Sequence, residues 1–379
     1  HATYYQSYAE RAERPNLTPL ATYLLDLIHL KRTNLCVSAD VTSSIELLRL
    51  AEDVGEHICV LKTHADIITD FTDRTMRGLI EVSRRKRFVV FEDRKFGDIG
   101  NTVQQQYTAG PLQIVRWASI VNAHLFPGPD IIPALAHAAQ TAIASHNTSV
   151  QTSISASPAP SAVDSDDSDS DSDSDSTSPD AKTQRLTALH NCSGVSVSTT
   201  ISTRSEAISP DPSIIPHSLS REASADNFHT AADKKDHDAL LEKLGPPPFY
   251  RSLLLLAQMS SRDNFLDLPY TTACLHHARA HRDFVMGFVA QESLNTDPDD
   301  AFITMTPGVQ LPPADGGSGG DALGQRYNTP RAAIHDAGSD IIIVGRGIYA
   351  TADRKRAALE YRQQGWAAYC ERVRPGPQQ

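Results

Sequence analysis

The sequence predicts a (β/α)8 barrel. Eight short β-rich runs recur along the chain, helix-length stretches separate most of them, and polar or charged residues collect at their carboxyl-terminal ends. That last feature matters because barrel enzymes build their active sites at the carboxyl ends of the strands. A doubly wound open sheet is the alternative, but no G-x-G-x-x-G follows the first run.

The elements follow in order. Thr18-Pro19 reads as a helix cap followed by proline in the first turn, and LATYLLDLIHLKR continues as an amphipathic helix. The β-rich runs are TNLCVSAD (33–40), HICVLKTH (57–64), FVVFEDRKF (88–96), ASIVNAHL (118–125), SLLLLAQMS (252–260), DFVMGFVAQ (283–291), AFITMTPGV (301–309) and DIIIVGRG (340–347). Runs such as Phe88-Val89-Val90-Phe91 are apolar on both faces, which suits parallel strands covered on both sides. Asp40, Lys62, Asp93, Lys95, Asn122, Gln258, Ser260, Gln291 and Arg346 all fall at or near the ends of runs.

The spacing breaks once, between the fourth and fifth runs. Residues 141 to about 244 are rich in Ser, Thr, Ala, Asp and Pro, and SDDSDSDSDSDS (165–176) repels itself and cannot bury a core. The chain therefore divides into a first part of a barrel (1–140), an acidic insertion read as disordered (141–244) and a second part of the same barrel (245–379). Without the insertion about 275 residues remain, close to a barrel's ordinary length of roughly 250.

The formal charge of −11 resides mostly in that insertion: residues 141–240 hold fifteen Asp/Glu against six Lys/Arg, nine of the eleven excess negative charges. The remainder is nearly neutral, which argues against nucleic acid as a partner. Five widely spaced cysteines without a C-x-x-C pair argue against a disulfide framework or a zinc ribbon. No apolar run approaches the roughly 18 residues that span a bilayer, so the expectation is a soluble protein of a reducing compartment, the cytoplasm.

The chemistry concentrates in FVVFEDRKFGDIGNT (88–102). On a strand, alternate side chains share a face, so Asp93 and Lys95 point one way and Glu92 and Arg94 the other, with Asp98 just beyond. Lys62 ends the neighbouring run, and a barrel brings Lys62, Asp93, Lys95 and Asp98 to one mouth. Alternating Lys and Asp hold one another ionised. A fixed ammonium can protonate a carbon that becomes negative, and a fixed carboxylate beside a substrate carboxylate favours loss of carbon dioxide. An ordinary salt-bridge network is the competing reading.

A second constellation is DIIIVGRGIYA (340–350), where Gly345-Arg346-Gly347 follows the eighth run, the recurrent phosphate position in barrels. The Gly- and Pro-rich stretch from Thr306 to Pro330 reads as a lid, with Gln325 and Tyr327 as its polar contacts. Cys274, His277 and His281 share a helical face, a weak candidate for a metal site. His64 and His124 lie at strand ends as site-lining or structural groups.

TNLCVSADV, ICVLKTHADIITDF, FEDRKFGDIGNTV, MTPGV, GDALGQRY and GSDIIIVGRGIYA resemble the successive motifs of the orotidine 5'-phosphate decarboxylase family in its monofunctional fungal form. The resemblance runs from the first helix nearly to the carboxyl terminus, the insertion excepted. It implies decarboxylation of orotidine 5'-monophosphate to uridine 5'-monophosphate in pyrimidine synthesis, with neither metal nor organic cofactor. By motif position it implies Lys95 as proton donor to C6, Asp93 against the departing carboxylate, and Lys62 and Asp98 completing the array. It places Asp40 on the ribose, Ser260 on the pyrimidine, Pro307 among the substrate-binding residues, and Gln325, Tyr327, Arg346 and the Gly345 backbone on the phosphate. It further implies a homodimer in which Asp98 and Thr102 reach into the partner's site. The lid between Val309 and Gly320 is longer than the family's common form, and HLFPGPDII departs from its glycine-rich version.

Two other readings compete. One is a related magnesium-dependent barrel acting on a sugar phosphate through the same D-x-K-x-x-D pattern, and the other is a silent barrel serving as a scaffold with the acidic insertion as its docking segment.

Overall fold

The computed structural model describes residues 1–147, 150–158, 195–203, 231–261, 263–311 and 327–374. Ten strands occur among them: β1 (Leu35–Ala39), β2 (Val60–Thr63), β3 (Val89–Phe96), β4 (Ile120–Ala123), β5 (Val150–Pro158), β6 (Val195–Thr203), β7 (Ser252–Leu256), β8 (Val285–Val289), β9 (Ile303–Thr306) and β10 (Ile341–Val344). Eight of them, without β5 and β6, close a parallel barrel in the order β1-β10-β9-β8-β7-β4-β3-β2. These are the eight runs read from the sequence, each one or more residues shorter than its run, with Lys62 on β2, Asp93 and Lys95 on β3 and Asn122 on β4 kept within the strands.

The helices are α1 (Ala2–Tyr5), α2 (Tyr8–Ala12), α3 (Pro19–Lys31), α4 (Ser44–Val54), α5 (Asp73–Lys86), α6 (Gly100–Thr108), α7 (Ile131–Asn147), α8 (Ala231–Leu244), α9 (Leu268–Ala280), α10 (Arg346–Tyr349) and α11 (Arg354–Val373). Thr18 caps α3 as its sequence predicts, accepting from the Ala21 amide at 3.1 Å ahead of Pro19. Barrel strands and the inner faces of the helices form one continuous apolar core, with Leu35, Val60, Val89, Ile120, Leu253, Ile303 and Ile341 fully buried. At roughly 25 cal/mol per Å2 of apolar surface removed from water, this core is the main force holding the barrel together.

The polar-looking amino terminus also belongs to the barrel unit. Tyr8 stacks on Tyr369 with ring centroids 4.2 Å apart, and buried Arg11 pairs with Asp340 at the start of β10. Asp340 in turn accepts the Thr304 amide at 2.9 Å, so one carboxylate ties α2 to β9.

Two described helices, α7 and α8, overlap the edges of the 141–244 reading. The alanine-rich run ending α7 favours helix through Asn147, and α8 begins at Ala231. A second compact unit, residues 147–206, contains β5 and β6 as an antiparallel pair with Val150 opposite Thr203. Its alternation of Val, Ile and Thr with Ser favours strands. The acidic repeat at 165–176 lies outside the described residues.

Candidate active site

Strand β3 departs from regular geometry where its charges lie. Its register to β4 shifts between Glu92 and Phe96, and Lys95 holds a left-handed φ of 51°. A non-glycine residue there carries strain, and bulges of this kind re-aim side chains. Asn122 on β4 stabilises the distortion at both ends: its Oδ1 accepts the Lys95 amide at 2.7 Å, and its Nδ2 donates to Asp93 Oδ1 at 2.7 Å.

The result is a charged array centred on Asp93. Its Oδ2 accepts from Lys62 Nζ at 2.8 Å and its Oδ1 from Lys95 Nζ at 2.7 Å. Burial alone would raise the Asp93 pKa, but the two ammoniums hold the carboxyl well below the usual carboxylate range. For Lys62 the balance runs the same way. Burial opposes its charge, yet Asp93 and Asp40 raise its pKa above the ordinary value. Arg94 leaves the array, its guanidinium 5.7 Å from the Phe96 ring, and Glu92 is buried on the opposite face, as the alternation predicts.

Around this array, Asp40 lies 3.9 Å from Lys62 and accepts from Ser38 Oγ at 2.6 Å. His64 Nε2 sits 2.8 Å from Lys62 Nζ and 3.3 Å from Asp93. Burial and then the Lys62 charge lower the His64 pKa, so a neutral ring accepts from Lys62. His124 is similarly lowered, by burial first and Lys95 second. Both histidines thus stand at the edge of the array rather than in a separate core position.

A cleft of about 200 Å3 opens over these groups, lined by Ser38, Asp40, Lys62, Ser260, Pro307, Gly308, Val309, Gln310, Tyr327, Ile343, Gly345, Arg346 and Gly347. Arg346 donates to the Tyr327 hydroxyl at its outer end. The cleft therefore offers the Lys62 ammonium and the Asp40 carboxylate at one end and an exposed guanidinium with a phenol at the other. A phosphorylated small molecule carrying a second charged group fits that distribution.

The predicted residues divide into three groups. Lys62, Asp93, Lys95 and Asp40 come together, and Ser260, Pro307, Tyr327, Gly345 and Arg346 line the same cleft. Asp98 does not join the array of its own chain: its carboxylate accepts from the Ile99 amide and from Gln106 Nε2 at 3.2 Å. Thr102 is exposed on α6. Gln325 and the loop through Gly320 lie outside the described residues. Sequence reasoning missed Ser38, whose only signal is its i−2 relation to Asp40, and left Asn122 without a role. The Cys274 thiol is buried, and among the described residues no group of three or more His, Cys, Asp or Glu is placed to hold a metal ion.

Comparison with known proteins agrees with the motifs. A family model described as orotidine 5'-phosphate decarboxylase / HUMPS family matches residues 33–159 and 213–361. A protein of Aureobasidium pullulans named orotidine 5'-phosphate decarboxylase is 43% identical, covering 97% of this chain and 95% of that one. Proteins of the same name from Hypocrea jecorina and Hypocrea atroviridis are 42% and 41% identical over 98% of this chain and 99% of each relative.

Proposed function

Because the chain belongs to the orotidine 5'-phosphate decarboxylase / HUMPS family, we propose that it is a carboxy-lyase converting orotidine 5'-monophosphate to uridine 5'-monophosphate. The observation that carries this reading is Asp93, held ionised between Lys62 and Lys95 within 2.8 Å of each. The base itself is assigned from the relatives, since charge alone does not name a pyrimidine.

In this reading the phosphate lies on Arg346 and Tyr327 with the Gly345 backbone and Gln325 assisting, the ribose on Asp40, and the pyrimidine beside Ser260 and Pro307. Asp93 faces the substrate carboxylate and raises the energy of the bound ground state. The bond from C6 to the carboxylate breaks, carbon dioxide departs, and the electron pair stays on C6. Lys95 Nζ then delivers its proton there. Lys62 keeps Asp93 ionised while Lys95 changes charge. The reaction as proposed uses no cofactor.

The active form is proposed to be a cytoplasmic homodimer, with Asp98 and Thr102 contributed to the partner's site. Asp98 is bonded away from its own array and Thr102 is exposed, while Ile99, next to Asp98 in sequence, and Phe126 are large apolar side chains left exposed. Exposed apolar side chains of this size favour burial against another surface.

The test is the ultraviolet change on adding orotidine 5'-monophosphate to purified protein, with and without EDTA, and with Lys95→Ala as the blank. Chelator-resistant conversion that is lost in a folded Lys95→Ala supports the whole scheme. Substantial turnover in that variant overturns the proton donor, and chelator-sensitive activity points to the magnesium-dependent sugar-phosphate branch.

A further inference from the structure

Tyr361 lies on α11, outside the cleft, and is 2% exposed. Its hydroxyl accepts the Leu311 backbone amide at 3.1 Å. The same phenol packs on Gly347 so closely that a Cβ at 347 would fall inside its hydroxyl and lie 3.0 Å from Cζ. Gly347 follows Arg346 directly, and Leu311 follows the cleft residues Gly308, Val309 and Gln310.

The other side of this connection is also fixed. The Gln310 amide donates to Asn328 O at 2.9 Å and the Asn328 amide to Gly308 O at 2.8 Å, pairing the two ends of the Gly-rich loop beside Tyr327. A continuous series of contacts therefore runs from Arg346 and Gly347 through the Tyr361 phenol to Leu311, Gln310 and Asn328, and so to Tyr327. Among the described residues, no hydrogen bond of Tyr361 reaches Lys62, Asp93 or Lys95.

We propose that Tyr361 is a positioning residue for the phosphate end of the cleft, setting the separation between the Gly345–Gly347 turn and the paired loop stem. Arg346 and Tyr327 then meet one phosphate together. This rests on the phosphate reading of Arg346 given above.

The experiment compares wild type, Tyr361→Phe, Gly347→Ala and Arg346→Ala. It measures kcat and KM with orotidine 5'-monophosphate, and inhibition by uridine 5'-monophosphate and by uridine, which lacks the phosphate. Removing one neutral hydrogen bond predicts that in Tyr361→Phe, KM and the nucleotide's inhibition constant rise together by about five-fold. Inhibition by uridine and kcat should stay within about two-fold. Gly347→Ala, which displaces the phenol without removing its hydroxyl, should move the same two constants. A merely structural role would instead lower kcat through loss of active protein, with KM unchanged. That pattern, or unchanged nucleotide binding in Tyr361→Phe beside weakened binding in Arg346→Ala, overturns the role of Tyr361 alone. Unchanged nucleotide binding in Arg346→Ala overturns the phosphate reading and this inference with it.

Discussion

Glu92 and Asp93 adjoin in sequence and are opposites in chemistry. Asp93 meets two ammoniums, whereas Glu92 faces the helix layer with Thr63 Oγ at 2.6 Å and the Ala65 amide at 3.0 Å, and no cation. Burial pushes its pKa up to about 8 against those two donors. The folded state thus holds a proton that the unfolded state loses above the ordinary glutamate value. Between those two pKa values stability falls as pH rises, by at most about 1.4 kcal/mol per unit, and the loss is complete above about 8. Glu92→Gln, which cannot ionise, should melt increasingly above wild type from pH 5 to pH 8, with a constant difference beyond. Parallel melting curves across that range would contradict it. The split between these neighbours was legible in the sequence, because strand alternation alone separates Glu92 from Asp93. The left-handed Lys95 and its Asn122 clamp were not, since they arise from a register shift between strands that no local pattern encodes.

At the scale of elements, the strands were legible because their apolar runs are bounded by polar residues that function keeps there. The contribution of α1 and α2 was not, since Tyr8 and Arg11 belong to a polar segment and find their partners, Tyr369 and Asp340, more than 300 residues away. Lys31 is another such long-range device. At the end of α3 its ammonium donates toward the carbonyls of Gly55, Ile58, Lys86 and Arg87 at 2.6–2.9 Å, tying the ends of α4 and α5 to the starts of β2 and β3. Lys31→Met fills the space but leaves those carbonyls without that donor. Urea unfolding should show a loss of about 2–4 kcal/mol with KM unaltered. A midpoint equal to wild type would show that the carbonyls find other partners.

For the whole molecule, the proposed shared sites make a quantitative prediction. Asp98→Ala and Lys95→Ala dimers should each be inactive, yet co-refolded together they form mixed dimers in which one of two sites has both groups intact. Random pairing then returns about a quarter of wild-type activity. Recovery at the level of either parent would place Asp98 and Lys95 in the same chain's site. The sequence named both residues, but the array geometry of one protomer leaves Asp98 unexplained, which is why the array and the dimer have to be tested separately. The order of the barrel also has a consequence for synthesis. Strand β4 pairs with β7, and 128 residues separate Ala123 from Ser252. At roughly 5–20 residues per second, a ribosome delivers β4 about 6–26 s before its partner. For that interval β4 presents an open, apolar strand edge, so the connection between β4 and β7 sets how long that edge depends on chaperones, well before β10 pairs with β1 and closes the ring.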